Sequence, residues 1–328
     1  MAISTKFLSS FKSTNMLLRT SSILFFIFLG TFFCFSQSTD RKSYRNSNGK
    51  NIYLPLGKIS FADTVVDFYI GTPKPLRKFR NPEESLKEPD YTSYSIPSFF
   101  SLGCGGNLTV KFTDNGFMNL AGKDIYIFEV GPAREPAKVE ISKDGIEWIY
   151  AGEIDGGRSV LELSDQNIDT TSIFYYLRVT DLKSLCVSKS AGADIDAIAA
   201  INSVIHFDMN ADVLFDVGKS ELKPKSIKTL DSISKIMIKI GEANLSIVGH
   251  TDSDGTEEYN YGLSYNRCYS VREKLKNLLG NSSDFKFSIK GLGESFPKAP
   301  NDSDINKQIN RRVEITLLPP NDYYGNIP

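Results

Sequence analysis

The chain has 328 residues, enough for about two domains of ordinary size, and its contents of 41% hydrophobic and 23% charged residues are usual for folded protein. This composition excludes a chain that is disordered along most of its length. The formal net charge of -1 and the lack of a long basic block argue against broad electrostatic binding to nucleic acid or to anionic lipid.

The first predicted element is a signal peptide at residues 1–36. Its apolar run, residues 23–35, follows three basic residues and is shorter than the roughly 20 residues that cross a bilayer. Cleavage after Ser36 would release an exported chain, with an uncleaved membrane anchor as the alternative, and Met16 is an alternative start. The polar residues that follow, 37–51, are predicted to be a linker.

Export would leave three cysteines, Cys104, Cys186 and Cys268. An oxidising compartment permits a disulfide, and Cys104 and Cys186 flank much of the same β-type region. We therefore predict a Cys104–Cys186 disulfide, with three free thiols as the alternative. Cys268 follows an arginine inside a predicted helix and is expected to be a small buried apolar residue.

Residues 52–204 consist of short runs with alternating or continuous apolar residues, each closed by Gly, Asp or Asn. Asp144-Gly145 stands between two such runs, which is a strong hairpin signal. Strands at this spacing, without a helical period between them, indicate an antiparallel structure. The middle of the chain is therefore predicted to be an all-β, jelly-roll-like sandwich.

Residues 205–320 have a different pattern. Apolar residues recur with a helical period at 227–240 and again at 263–278, and short strand-like runs separate these two segments. The order βαβαβ-(α)-β predicts an α+β sandwich, with two main helices on one face of a mixed sheet. Residues 321–328 form a tail.

The stretch "GHTDSDGTEEYNYGLSYNRCYSVREKL" places an acidic loop just before a predicted helix. An EF-hand calcium loop would need a glutamate at its twelfth position, where this chain has Leu263. Catalysis has little support, because the chain has two histidines, His206 and His250, and no recognisable nucleophile or metal motif. We interpret His250 as a hydrogen-bonded scaffold residue.

Binding remains. Asp252 follows a predicted strand, and Arg267 lies on the next helix near the end of that strand. Such a strand–loop–helix unit can present both charges to one zwitterion, with Asp252 facing an ammonium and Arg267 forking onto a carboxylate. An ordinary Asp252–Arg267 salt bridge is an equally open alternative at this point.

Residues 212 to about 318 resemble the C-terminal peptidoglycan-binding domain of the OmpA family, which also occurs in Pal lipoproteins and MotB stator proteins. The resemblance rests on "VLFDVGKSELKP", "GHTDSDGTEEYNYGLSYNR", "GLGESFPKAPN" and "NRRVEI". It implies binding of the meso-diaminopimelate residue of the peptidoglycan stem peptide. By position, Asp252 and Arg267 match the family's two principal ligand contacts. Further matches to pocket residues are Asn260, Leu263, Ser264 and Arg311.

The middle region loosely resembles galactose-binding-like sandwiches, on stretches such as "DIYIFEVGPAREP" and "AGADIDAIAAI". This resemblance implies a fold rather than a particular ligand, and in a protein that holds the cell wall the sandwich would bind a second partner, a glycan or an envelope protein. Asp194 and Asp196 are weak candidates for a calcium site, since calcium prefers oxygen ligands. The favoured interpretation is that they cap turns, and Glu129 and Glu135 are read in the same way.

Together these observations predict a non-enzymatic protein of the cell envelope, in the periplasm or at the outer membrane, that holds peptidoglycan. No cofactor is predicted apart from the calcium alternative. Two alternatives use the same domain as an anchor, a carbohydrate-acting protein and a motor or stator component. A stator would need an ionisable residue inside a spanning helix, and the apolar run at residues 23–35 contains none.

Overall fold

The structure is a computed structural model, and it describes residues 42–131, 135–156, 159–184, 186, 191–280 and 284–320. The predicted signal peptide and the predicted C-terminal tail lie outside these residues. Within them, no helix combines the length and the apolar character that crossing a membrane requires.

The N-terminal part of the described chain is built from short strands and single 3-10 turns. The strands are β1 (Ser43–Arg45), β2 (Asn51–Tyr53), β3 (Thr64–Tyr69), β4 (Phe100–Ser101), β5 (Asn107–Lys111), β6 (Gly116–Phe117), β7 (Ile125–Glu129), β8 (Ala137–Ser142), β9 (Ile149–Ile154), β10 (Val160–Leu161), β11 (Tyr176–Asp181) and β12 (Asp194–Ala200). The 3-10 turns are Gly57–Ser60, Arg77–Phe79, Pro82–Ser85 and Leu163–Gln166.

The C-terminal part alternates strands and helices. Its elements are β13 (Ser203–Asn210), α1 (Ala211–Leu214), α2 (Ser226–Ile240), β14 (Ala243–Gly249), α3 (Glu257–Leu279), β15 (Phe285–Gly291), α4 (Asp304–Asn310) and β16 (Arg312–Leu318). Thr256 caps α3, since its hydroxyl accepts a hydrogen bond from the backbone N–H of Tyr259 at 3.2 Å.

Two antiparallel sheets form most of the N-terminal part, in the orders β10-β7-β12-β4 and β3-β5-β11-β8-β9. Both sheets contribute to one apolar core, to which β7 gives Ile125 and Ile127 and β11 gives Leu177 and Val179. Alternate residues of β11 point into this core and toward solvent, as expected for a sheet with one wet face. The all-β prediction for the middle of the chain is confirmed.

The C-terminal sheet has the order β15-β14-β16-β13-β6. β14 and β15 are parallel and the other pairs are antiparallel, so the sheet is mixed. The helices α2 and α3 share one apolar core with alternate residues of β14 and β16, for example Leu230, Val271, Ile247 and Ile315. The predicted α+β architecture is confirmed.

The two parts share a sheet and a core. β6 belongs by sequence to the β region, yet it pairs with β13 through Ser203↔Phe117. Leu56, which is 3% exposed, packs in the C-terminal core although it precedes that domain by more than a hundred residues. Part of the segment predicted as a linker, 37–51, forms the β1–β2 hairpin instead. The hairpin is held to the β region by Tyr44, which is fully buried against Phe61.

Candidate functional site

Charged side chains from separate segments meet at one edge of the C-terminal sheet. Gly249 at the end of β14 pairs with Val313 near the start of β16. Residues that follow β14 therefore lie beside residues that precede β16, which brings together the loop residue Asp252 and Arg311.

Two glycines let α3 approach the ends of these strands. A Cβ atom on Gly249 would lie 2.5 Å from the carbonyl oxygen of Ser264, and one on Gly291 would lie 2.5 Å from the backbone nitrogen of Tyr265. Any larger residue at either position would push α3 away from the sheet. The close approach places Arg267, one turn after Ser264, next to the loop that carries Asp252.

Asp252 is 6% exposed and its carboxylate is held by two donors. Oδ2 accepts a hydrogen bond from Nη1 of Arg311 at 2.6 Å, and Oδ1 accepts one from the backbone N–H of Asp254 at 3.2 Å. The cation that pairs with this buried carboxylate is therefore Arg311 and not Arg267.

Arg311 also binds Asp212, with its Nε and Nη2 atoms 3.0 and 2.8 Å from that carboxylate. The Asp212 carboxylate, and after it Asp252, raise the pKa of Arg311 above its ordinary value. Sequence reasoning assigns Arg311 to the pocket itself. In this structure each guanidinium nitrogen of Arg311 donates to Asp252 or Asp212, so Arg311 holds the Asp252 carboxylate in place, and its contact with a ligand stays a prediction.

Arg267 is 3% exposed and forms no ion pair with a carboxylate of the described residues. Its Nε donates to the carbonyl oxygen of Lys219 at 3.0 Å, its Nη2 lies 3.5 Å from that of Asp216, and its guanidinium lies 5.3 Å from the ring centroid of Phe215. Burial lowers the pKa of Arg267, while Asp212, Tyr259 and Asp252 oppose that change. The simple Asp252–Arg267 salt bridge is therefore not formed in this structure.

Two of the other pocket residues expected from sequence, Asn260 and Ser264, anchor loops beside the site. Nδ2 of Asn260 donates to the carbonyl oxygen of Asp252 at 3.2 Å and to Glu294 at 2.6 Å. The hydroxyl of Ser264 accepts from the backbone N–H of Gly293 at 3.0 Å. Leu263 is half-buried on the side of α3 that carries Arg267.

His250 differs from the expected hydrogen-bonded scaffold residue. It is 3% exposed, and neither ring nitrogen has a hydrogen-bond partner in the described structure. Burial, followed by the nearby charge of Arg312, lowers the pKa of His250 to about 4. The imidazole is therefore neutral at ordinary pH.

The cysteine and calcium candidates lie in the β region. Cys104 and Cys186 form a disulfide with their Cα atoms 5.4 Å apart, and Cys268 is a free, buried thiol. Asp196 accepts the backbone N–H groups of Asp90 and Tyr91 at 3.1 and 3.3 Å. Asp194 accepts the Ser101 hydroxyl. Among the described residues, no group of three or more acidic, histidine or cysteine side chains is arranged to hold a metal ion.

Sequence reasoning missed Asp212 as a member of the site. It lies in the first turn of α1, where its backbone N–H donates to the side chain of Asn210 at 2.7 Å, so it reads as an ordinary helix-start residue. Its role becomes visible only in the fold. The backbone N–H of Ala211, the residue before Asp212, donates to the carbonyl oxygen of Arg311 at 2.8 Å, which brings Asp212 beside Arg311.

The arrangement presents a buried carboxylate and a buried guanidinium that do not neutralise each other. The OmpA family matches residues 214–311 of the chain. Residues 214–311 are an OmpA-family domain. The match leaves residues 52–204 outside it, so the galactose-binding-like resemblance stays a prediction.

Relatives of the OmpA-family domain occur in longer envelope proteins. Outer membrane porin F of Pseudomonas aeruginosa is 34% identical over 141 residues, which cover 42% of this chain and 39% of the porin. The probable lipoprotein YiaD of Escherichia coli is 31% identical over 145 residues, which cover 44% of this chain and 64% of YiaD. The chain thus spans less than two thirds of either relative.

Among solved structures, the periplasmic domain of Helicobacter pylori MotB is 26% identical, with a TM-score of 0.33. The alignment covers 38% of this chain and 81% of that domain.

Proposed function

We propose that the protein is a non-enzymatic component of the cell envelope that binds peptidoglycan non-covalently through its OmpA-family domain. The ligand group is the diaminopimelate of the stem peptide, whose side chain ends in an ammonium and a carboxylate. A position in the periplasm or at the outer membrane follows from this proposal and agrees with the kinds of relatives that share the domain.

One observation carries the proposal: Asp252 and Arg267, on one strand–loop–helix unit, are both more than nine-tenths buried, yet Asp252 pairs with Arg311 and Arg267 has no carboxylate partner among the described residues. Burying a charge without a close counter-charge is unfavourable. A zwitterion would supply the missing anion to Arg267 through its carboxylate, and would place its ammonium beside Asp252, which Arg311 already holds. A simple structural salt bridge would have joined the two directly.

Sedimentation with purified sacculi tests the proposal. Asp252→Ala should lower affinity by roughly 30-fold to several thousand-fold, since losing one partner of a desolvated charge pair costs about 2 to 5 kcal/mol. Arg267→Ala should lower affinity within the same range and by more than Asp252→Ala, with Arg267→Lys as a milder variant that keeps the charge but not the fork. Asp254→Ala is the matched control, because this loop carboxylate is 67% exposed and should contribute less than about 1 kcal/mol.

Competition separates pocket binding from general adhesion to the wall. Free meso-diaminopimelate should release the bound protein, whereas lysine, which lacks the side-chain carboxylate, should release much less. Circular dichroism must show that each variant is folded. Wild-type pelleting by folded Asp252→Ala protein would refute the pocket assignment.

A further inference from the structure

Four tyrosines of α3 lie outside its apolar core. Tyr259, Tyr261, Tyr265 and Tyr269 are between 41% and 57% exposed. Single exposed aromatic residues are common on protein surfaces, but several together mark a surface that binds a partner or a ligand. Tyr261, Tyr265 and Tyr269 follow one another at intervals of four residues, so their side chains are neighbours along the helix. α3 therefore presents a row of aromatic rings to solvent.

Gly262 leaves a gap beside this row. It comes three residues after Tyr259 and three before Tyr265, a spacing that places it on the same side of α3 as both. Apart from its chain neighbours and the local helix backbone, a Cβ atom on Gly262 would meet no atom within 4 Å, so close packing does not require a glycine here. Glycine also weakens a helix interior relative to alanine. The gap is therefore an open depression flanked by tyrosines.

Tyr259 joins this surface to the Arg267 side of the candidate site. Its hydroxyl donates to the carbonyl oxygen of Gly218 at 3.4 Å. Gly218 precedes Lys219, whose carbonyl oxygen accepts the hydrogen bond from Nε of Arg267 at 3.0 Å. One loop therefore contacts both the exposed tyrosine and the buried arginine.

Tyr261 joins the surface to the Asp252 side of the candidate site. With Glu294 it lines a cavity of about 290 Å³ beside the start of α3. Nδ2 of Asn260 donates to that glutamate at 2.6 Å and to the carbonyl oxygen of Asp252 at 3.2 Å. The cavity and the acidic loop are thus bridged by one side chain, and the tyrosine surface is continuous with the site.

The distance between the tyrosines and the site indicates which part of the ligand they would meet. This step rests on the proposed function, in which a stem peptide is held at Asp252 and Arg267. Stem peptides are attached to the glycan strand, and two or three extended residues span about 7–11 Å. Tyr265 and Tyr261 precede Arg267 by about 3 and 9 Å along the helix axis. A sugar that carries the bound peptide therefore lies within reach of these rings.

We propose that Tyr261 and Tyr265, with the depression at Gly262, bind a sugar ring of the glycan strand whose stem peptide occupies the Asp252–Arg267 site. The face of an aromatic ring is negatively polarised, so it attracts the C–H groups on the face of a sugar ring. Glu294, on the cavity beside Tyr261, accepts hydrogen bonds from sugar hydroxyl groups. A second copy of this chain fits less well, because the centres of protein–protein interfaces are depleted in charged residues.

Calorimetric titration of the full-length protein with two soluble ligands tests this proposal. One is a stem peptide that contains diaminopimelate, and the other is the same peptide still attached to its disaccharide. The wild-type protein should bind the sugar-linked peptide roughly fivefold more tightly than the bare peptide. The double variant Tyr261→Ala, Tyr265→Ala should lose this difference and keep its affinity for the bare peptide. Tyr69→Ala, on β3 at a 58% exposed site, is the matched control and should change neither affinity.

A second variant separates loss of sugar binding from loss of folding. Gly262→Leu fills the depression with a residue that favours a helix more than glycine does, so the urea midpoint of unfolding should not fall. Its affinity for the sugar-linked peptide should nevertheless drop to that for the bare peptide.

Three results would overturn the proposal while leaving peptide binding intact. The first is equal affinity of the wild-type protein for the two ligands, and the second is an equal loss for both ligands in the double tyrosine variant. The third is self-association that the double variant abolishes, which would make a second copy the occupant. If the wild-type protein bound neither ligand, the proposed function itself would fail, and the sugar site with it.

Discussion

Replacing Arg311 with methionine tests whether this residue positions Asp252 or contacts the ligand. In the native protein the guanidinium donates to Asp252 at 2.6 Å and to Asp212 at 2.8 and 3.0 Å. The side chains of Arg311, Asp212 and Asp252 are 24%, 28% and 9% exposed, so the pair with Asp252 is the less hydrated one. Methionine keeps an unbranched side chain but leaves both carboxylates without their cation.

The expected loss of stability lies between two limits. Removing one partner of a fully buried ion pair costs about 3–5 kcal/mol, and a fully exposed pair contributes about 0–1 kcal/mol. Arg311 is one quarter exposed and Asp252 is nearly buried, so we expect Arg311→Met to lower the free energy of unfolding by about 2–4 kcal/mol. Sacculus binding should also fall, because Asp252 is no longer held in place.

Urea unfolding monitored by circular dichroism measures the first effect, and sacculus sedimentation the second. Lys307→Met is the matched control, since Lys307 forms an ion pair of the same 2.6 Å length with Asp254, which is 67% exposed. That variant should lose much less stability than Arg311→Met, because the ion pair of Lys307 is exposed to solvent. If Arg311→Met kept full stability and lost binding, Arg311 would be a ligand contact, and if it kept both, the positioning role would be refuted.

Three further predictions concern the rest of the fold. Leu56→Ala should lower the free energy of unfolding by about 2–5 kcal/mol in urea, because Leu56 packs in the core of the C-terminal domain although it precedes that domain in the chain. Leu76→Ala, at a site that is 44% exposed, is the control and should lower it far less. The Cys104–Cys186 disulfide joins residues 82 apart and should contribute about 3–5 kcal/mol to the free energy of unfolding. A mass measurement that finds Cys104, Cys186 and Cys268 all alkylated without reductant would show that the disulfide is absent. The pKa of His250 is about 4 in the folded protein and about 6.5 in the unfolded chain. The unfolded chain therefore binds a proton that the folded protein does not, and the free energy of unfolding should fall by about 3 kcal/mol as pH falls from 6.5 to 4. His250→Leu should remove that loss, so the stability difference between wild type and variant, measured by urea unfolding from pH 7 to 4, should change over this window, and a constant difference would refute it.

Periodicity is sufficient to predict most of the C-terminal fold. Apolar residues alternate along β14 and recur with a helical period along α2, and both patterns arise because one face of each element packs in the same core. The shared core and sheet could not be predicted in this way. β6 has two residues, too few for any pattern, and Leu56 joins the C-terminal core from a segment with no strand or helical pattern of its own.

The candidate site was predictable in part for a similar reason. Asp252 and Arg267 belong to one strand–loop–helix unit, so local geometry brings them near each other. Arg311 and Asp212 come from separate segments, 99 residues apart along the chain, and only the pairing of β13 with β16 makes them neighbours. A sequence can show that an arginine precedes a strand, but not which carboxylate that arginine will hold.

The separate partners of Asp252 and Arg267 explain why a ligand is needed to complete the site. Arg311 pairs with the Asp252 carboxylate, whereas among the described residues Arg267 contacts only carbonyl oxygens and the ring of Phe215. Carbonyl groups offer partial charge, so Arg267 retains an unmet demand for an anion that Asp252, already paired, does not supply. Arg267 lacks a counter-ion and Asp252 has one, and this difference predicts which group of the ligand contributes more to affinity. The ligand carboxylate at Arg267 should contribute more to affinity than the ligand ammonium at Asp252, where it competes with Arg311 for the same oxygens.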